Sequence, residues 1–529
     1  MFDIAIIGSG AGGSPAAWLL TKLGYEVVLI EQGDIFEENL IPIEKGGEFF
    51  KYSNLSSDPE KRGLEKLYTP VDCTSSPIKI QNYYGMGGST LLYSCMYPRL
   101  HESDFHLKSS EGISDDWPLS LSDILPYYQK DVEITGVAGL GGNPLYPDYY
   151  PNLPPVPLGP LGKRLAIGMN ELGWSWWPAY ASLNTKAYDG RDKDDFERPS
   201  NLGPSGNSKG STNNTYLKKA IEQGITVFTG TKVINLKKSN ARVIEGIECI
   251  DKNKNTFTIK AKVYILSAGG IFSPHLLLNS KTRTDKEGLG NSSGLVGRNL
   301  MMHPWGYCEG VTSQELLSNF GPQGCSITSQ HFYFTRSNND FKRGYTLQFI
   351  RGPFAAESAI SNFRQRNVKP GETLVDEFLR IYNKTLHIAI ICDDFPEYNN
   401  RIVLDQNIRD SSGKCGAKIH YKLSTNSKLQ LSEGIRNSKK LLKTCGATNI
   451  KGFGPLANTG WHILGTCKMG LDHKTSVVNK YGKCHNIRNL FISDGSIFTT
   501  GGSVNPCATI QALSLYIATN IHESWSEYA

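Results

Sequence analysis

Several features that mark membrane, metal or nucleic-acid proteins are missing from this chain. No run of about eighteen apolar residues occurs, so no membrane-spanning helix is expected. There is no C-x-x-C and no H-x-x-x-H pair, spacings that bring two thiolates or two imidazoles to one ion, so no metal site is expected. The net charge is only +6 over 529 residues and no basic cluster is visible, which leaves no electrostatic footprint for nucleic acid. The 11 cysteines are scattered and odd in number, fitting reduced thiols in a cytoplasm better than a disulfide framework. The first apolar strand starts at residue 2, leaving no room for a signal peptide or twin-arginine leader; the expected location is cytoplasmic. Internal repeats and low-complexity segments are also absent. What remains is a chain of roughly two to three domain-equivalents, able to bury large cores. Its 54 glycines point to many tight turns.

The N-terminal stretch MFDIAIIGSGAGGSPAAWLLTKLGYEVVLIEQG reads as one βαβ unit. Ile4 to Ile7 is a buried parallel strand, Ser14 to Leu23 a helix, and Val27 to Ile30 the second strand. Between the first strand and the helix, Gly8, Gly10, Ala11, Gly12 and Gly13 carry G-x-G-x-x-G. Gly8 serves the tight turn, Gly10 the close approach of a pyrophosphate, and Gly13 the packing of helix on strand. Glu31 ends the second strand, 18 residues after Gly13, where a carboxylate can accept from a ribose diol; Gln32 adjoins it. This pattern indicates a bound dinucleotide without choosing between FAD and NAD.

The other concentrated signal is at residues Asn458 to Gln511. His462 stands just before a Gly-Thr turn, the strand NLFIS runs into Asp494-Gly495, and Asn505-Pro506 opens an apolar helix. The free N–H groups of that helix end form a natural seat for negative charge. Upstream, Gly87-Gly88 followed by Ser89-Thr90 lets backbone and hydroxyls approach a ligand closely, as a second cofactor contact requires.

GMGGSTLLY, AGGIFSPHLLLNS (Ala268 to Ser280), VGRNLMMHP (Val296 to Pro304), WHILGTCKMG and the SDGS…NP tail occur here in a family's order. With them the chain resembles the glucose–methanol–choline (GMC) oxidoreductases, FAD enzymes that oxidise alcohols, over nearly its whole length. The tail is most similar to the branch with cholesterol oxidase, pyranose oxidase and the gluconate or glucoside dehydrogenases. The resemblance implies His462 as the catalytic base and Asn505 as its partner on the same substrate oxygen. It also implies FAD contacts at Val233, through its backbone, at Ala268-Gly269, and at Asp494, Gly495, Asn505 and Pro506. Some relatives attach the flavin to a histidine; the matching position here is Leu92, so non-covalent FAD is expected. The stretch Arg198 to Ser211 lacks the cysteine cluster of some membrane-coupled relatives, which argues against an iron–sulfur relay. Tyr93 replaces residues frequent after the glycine turn and leaves the local substrate contact open.

The fold class expected is α/β (α+β overall), a Rossmann-like FAD-binding domain with a substrate domain built on an antiparallel sheet. The FAD-binding part is assigned to residues 1–100, 201–305 and 456–529, and the substrate part to 101–200 and 306–455. Residues 36–76 read as a long polar excursion over the cofactor or the substrate entrance. Alternation in TLQFI and LHIAII suggests the antiparallel sheet, with the helix LQLSEGIRNSKKLLKTCG near its end. The cluster GWSWWPAY (Gly173 to Tyr180) reads as core rather than as a sugar-stacking platform. Tyr188 to Pro199 reads as an exposed charged loop. His101, His106 and His303 receive no role. The implied partners are a small-molecule alcohol or sugar and an electron acceptor, oxygen or another, with the CH–OH of a sugar, glycoside or amino sugar as first choice. Steroid or fatty alcohols, or a non-redox FAD-containing lyase, are the alternatives.

Overall fold

The computed structural model describes residues 1–35, 68–197, 200, 207–239, 242–322, 326–337, 340–352, 355, 358–359 and 371–529. Most of the polar excursion from residue 36, and most of the stretch 198–211, lie outside the described residues. A five-stranded parallel sheet is built from β1 (Phe2–Ile7), β2 (Val27–Ile30), β3 (Thr226–Phe228), β4 (Ala261–Leu266) and β5 (Leu490–Ile492). Its spatial order is β5-β4-β1-β2-β3. Every residue of β2 and β5 is buried, as expected for strands that read as unbroken apolar runs rather than as alternating ones. The segment Gly224 to Lys238 resolves into two strands, β3 and Thr231–Lys238, turned at Gly230. The second of these belongs to a separate antiparallel sheet with Ile244–Asp251 and Thr256–Ile259.

Three helices start at the edge of the parallel sheet: α1 (Gly13–Lys22) after β1, α2 (Gly269–Asn279) after β4, and α3 (Cys507–Glu523) beyond β5. β4 stops at Leu266, so the apolar run from Val263 to Pro274 is a strand and then the first part of α2. Gly12 and Gly13 are where α1 can pack this closely. A Cβ on Gly12 would lie 1.7 Å from the Ser493 carbonyl oxygen, and one on Gly13 1.8 Å from that of Gly8.

The second large unit is a six-stranded antiparallel sheet in the order Thr448–Phe453, Trp305–Val311, Thr385–Cys392, Tyr345–Ile350, Ile327–Ser329, Trp177–Pro178. Its two faces differ because strand side chains alternate. Tyr345, Leu347 and Phe349 join Leu386, Ile388 and Ile390 in an apolar core covered by the helix Thr425–Thr444. The opposite face carries Trp305, Thr346, Gln348, Ala389 and Ile391, with Gln348 directly across from Ala389 and from Thr328. This second face is partly polar, although Thr346 and Gln348 are 3 % and 2 % exposed. The loop around Tyr188 is less exposed than its charges suggest: Arg191 and Asp194 are buried, and the Arg191 guanidinium donates to the Thr135 carbonyl at 2.6 Å. Among the described residues every cysteine is a free thiol, and no helix is long and apolar enough to cross a membrane.

Candidate active site

A long cavity opens where the parallel strands end. Gly8, Gly10, Ala11 and Gly12 line it from the turn after β1, and Glu31 and Gln32 from the end of β2. Gly88, Ser89 and Thr90 come in from the second glycine turn, and Val233 from the neighbouring sheet. Ala268 and Gly269 close it at α2, with Asp494, Gly495 and Pro506 at the far end. Gly13 and Gly87 stand behind this wall: Gly13 packs on β1, and the Gly87 N–H donates to Ser9 Oγ at 3.1 Å. The glycine turn fits a dinucleotide on a specific ground. A Cβ on Gly10 would meet nothing closer than Gly88 Cα at 3.9 Å, so protein packing does not require glycine there. The missing side chain leaves room for a ligand.

Two carboxylates hold the walls. Glu31 is buried and accepts from Ser9 N at 3.0 Å, Ser9 Oγ at 2.7 Å and Gly33 N at 3.0 Å. The Gly85 backbone adds a fourth hydrogen bond, so the roughly four lone-pair positions of the carboxylate are met within the protein. Its main work in the protein is therefore to clamp the glycine turn to β2. Burial pushes its pKa up, while the hydrogen bonds from Gly33, Ser9 and Gly85 oppose the rise. Asp494 accepts from Gly269 N and Ser496 N, both at 2.8 Å, and from Ser273 Oγ. It ties the start of α2 to the end of β5, and burial likewise raises its pKa.

His462 stands between Trp461 and Ile463, both on the cavity wall, and beside His303, a residue without an expected role. A short antiparallel pair sets Met302 opposite Ile463, and one step further the same register sets His303 opposite His462. Their Nδ1 atoms are 2.8 Å apart, with the rings nearly perpendicular. Asn505, just before the Pro506 cap of α3, holds its Nδ2 3.3 Å from His462 Nε2. Its Oδ1 accepts from Gln348 Nε2, on the polar face of the antiparallel sheet. All four side chains are buried.

With both amides oriented as they are here, this line of groups reads in one direction. Asn505 Nδ2 can only donate, so His462 Nε2 is the lone-pair nitrogen and the His462 proton sits on Nδ1. His303 Nδ1 then accepts that proton's bond, and the His303 proton sits on Nε2, facing the backbone of Gly501 and Gly502. A Cβ on Gly501 would lie 2.9 Å from that nitrogen, so the turn closes tightly over it. Burial keeps both rings neutral. His462 is held well below the usual imidazole range, by desolvation first and the neighbouring His303 second, and His303 is lowered to about 4 by desolvation. The signal that could have found His303 is its place in VGRNLMMHP. Gln348 could have been found as the polar member of an otherwise apolar strand.

The glycine-lined cavity takes in Trp461, Ile463 and Pro506, the chain neighbours of His462 and Asn505, and its parallel sheet is of the Rossmann-like class. The chain belongs to the GMC oxidoreductase family, which it matches over residues 154–305 and 396–514, with a Rossmann-like NAD(P)-binding match over residues 6–36. It is 31% identical to 2-methyl-1,2-propanediol dehydrogenase of Mycolicibacterium austroafricanum, covering 99% of this chain and 96% of that one. It is 26% identical to 6'''-hydroxyparomomycin C oxidase of Streptomyces lividus, covering 97% and 90%. Pyridoxine 4-oxidase from Mesorbium loti shares the fold at a TM-score of 0.64 and 17% identity, over 99% of each chain. Family membership makes this protein an oxidoreductase acting on CH–OH donors and implies FAD as its cofactor.

Proposed function

We propose that this protein oxidises a CH–OH group of a sugar, glycoside or amino sugar to a carbonyl, with His462 as the base and non-covalent FAD in the cavity. Residues 1–100, 201–305 and 456–529 would carry the cofactor, and 101–200 with 306–455 the substrate. The single observation that carries the reading is the directed line His303–His462–Asn505–Gln348. When bound, FAD supplies the acceptor for the hydride that leaves carbon. The rest is done by side chains. An alcohol's proton is not lost near neutral pH without a positioned base, and His462 Nε2 offers a lone pair fixed in direction. Asn505 Nδ2, which holds that lone pair, turns its donor to the substrate oxygen as negative charge develops there. His303 is a positioning residue. It keeps the His462 proton on Nδ1 and receives a stronger hydrogen bond once His462 becomes doubly protonated.

The reading is tested by mixing yellow holoenzyme anaerobically with monosaccharides, glycosides, amino sugars and long-chain alcohols. The flavin band is expected to bleach with a sugar, glycoside or amino sugar, and acid precipitation is expected to release the flavin into the supernatant. Bleaching by apolar alcohols alone would refute the substrate, and flavin that stays with the precipitate would refute non-covalent binding. Oxygen uptake during turnover then separates an oxidase from a dehydrogenase.

A further inference from the structure

One surface of the molecule carries most of its excess charge. The helix Thr425–Thr444, TNSKLQLSEGIRNSKKLLKT, holds five cations against one carboxylate, a net +4 in 20 residues where the whole chain carries +6. Successive side chains turn by about 100° around a helix, so Lys428, Arg436, Lys439, Lys440 and Lys443 all fall within an arc of roughly 120°. Along the chain neutral residues dilute them, and no cluster shows; winding the helix lines them up over about 22 Å. All five are exposed. The opposite arc, with Leu431, Gly434, Leu441 and Leu442, is the buried one that covers the antiparallel sheet.

Little within the protein neutralises this face. Glu433, the one carboxylate of the helix, turns toward the sheet: its Oε1 accepts from the Tyr345 hydroxyl at 3.2 Å, and its Oε2 lies 3.5 Å from Arg436. Among the described residues, Lys428, Lys439, Lys440 and Lys443 form no ion pair. Arg164, on the neighbouring helix Gly159–Glu171, adds a further cation at the far end, donating to the carbonyls of Thr444 and Cys445 at 3.2 and 3.0 Å. Like charges this close repel one another, and an opposing anionic surface relieves the repulsion.

The residue types indicate which surface. Four of the five cations are lysines, compact charges on flexible stems that suit a diffuse negative field rather than the bidentate contacts of arginine. Lysine is depleted in protein–protein interfaces, where aromatic and arginine anchors carry the binding. The helix has no aromatic residue on which a nucleic-acid base could stack. Leu429 is exposed on the same arc, placed to enter the layer between lipid headgroups.

We propose that this face docks the enzyme on the surface of a bilayer containing anionic lipids. The catalytic pair lies across the antiparallel sheet from the helix, so the docked enzyme keeps it clear of the headgroups. The test is co-sedimentation of the holoenzyme with vesicles of phosphatidylcholine alone and of phosphatidylcholine with one-third phosphatidylglycerol. The protein is expected to pellet with the anionic vesicles only, and raising the salt from about 0.05 to 0.5 M should release it. Each cation near an anionic surface strengthens binding about fivefold. Lys428→Gln, Lys440→Gln and Lys443→Gln together should therefore weaken it about 10²-fold, with flavin content and Tm unchanged. Removing three charges at the exposed Lys281, Lys286 and Lys474, outside the helix, should cost much less. Equal pelleting with neutral vesicles, no pelleting with anionic ones, or equal losses in the two triple variants would each overturn the inference. Binding to duplex DNA or to polyglutamate at least as tight as to the anionic vesicles would assign the face to another partner and overturn it as well.

Discussion

His462→Ala is expected to keep its fold and its flavin and to lose the reductive half-reaction, with anaerobic bleaching slowed at least ~10²-fold. The variant leaves His303 Nδ1 and Asn505 Nδ2 without their shared partner, but neither group touches the walls that hold the nucleotide. The pH dependence follows from the burial of the ring. A base acts only when neutral, and desolvation holds the His462 imidazolium well below the ordinary range. Protonation therefore switches the wild type off only at pH well below 6.5, and its rate of flavin reduction should be flat from pH 6 to 9. Stopped-flow reduction across that range checks both points; a wild-type rate in His462→Ala would place the base elsewhere. His303→Phe removes the acceptor that fixes the Nδ1 proton. It should lower the reduction rate constant while leaving substrate affinity in place, the split expected of a group acting through another residue.

Asn505→Ala should slow flavin reduction roughly 10- to 10³-fold, the effect of one donor lost to a developing oxyanion. Asn505→Asp should be worse. A carboxylate 3.3 Å from His462 Nε2 would repel negative charge forming on the substrate oxygen and would favour the imidazolium, moving the acid limb of the pH profile upward. Gln348 Nε2–H could still donate to the new side chain, so the loss would report charge rather than a broken contact. Because Asn505 and His462 act on one oxygen, the double variant should fall short of the product of the two single effects. Single-turnover rates for the four proteins measure this coupling. An Asn505→Asp protein as fast as Asn505→Ala would remove the charge argument.

The chain order by itself determined the nucleotide end of the molecule. A run such as IAII followed by G-x-G-x-x-G leaves little freedom, because Gly8 and Gly13 answer requirements of the fold itself and Gly10 leaves space beside them. Gly8 takes a φ of +100°, and Gly13 must lie against the Gly8 carbonyl. Sequence also supplied His462, Asn505 and the apolar alternation of the antiparallel sheet. The aromatic cluster, read as core, does pack there through Trp174 and Tyr180, while which of its rings also line a cavity depends on the neighbour that covers each. Sequence gave Glu31 only to the ribose, whereas that carboxylate also clamps the turn beside it. Only the tertiary structure brought together His303 and His462, 159 residues apart, and Gln348 and Asn505, 157 residues apart. The first pair depends on the register of a two-residue bridge, the second on the packing of one sheet against the loop before α3. Neither leaves a periodic trace along the chain, because hydrogen bonds between distant segments are set by how the elements dock.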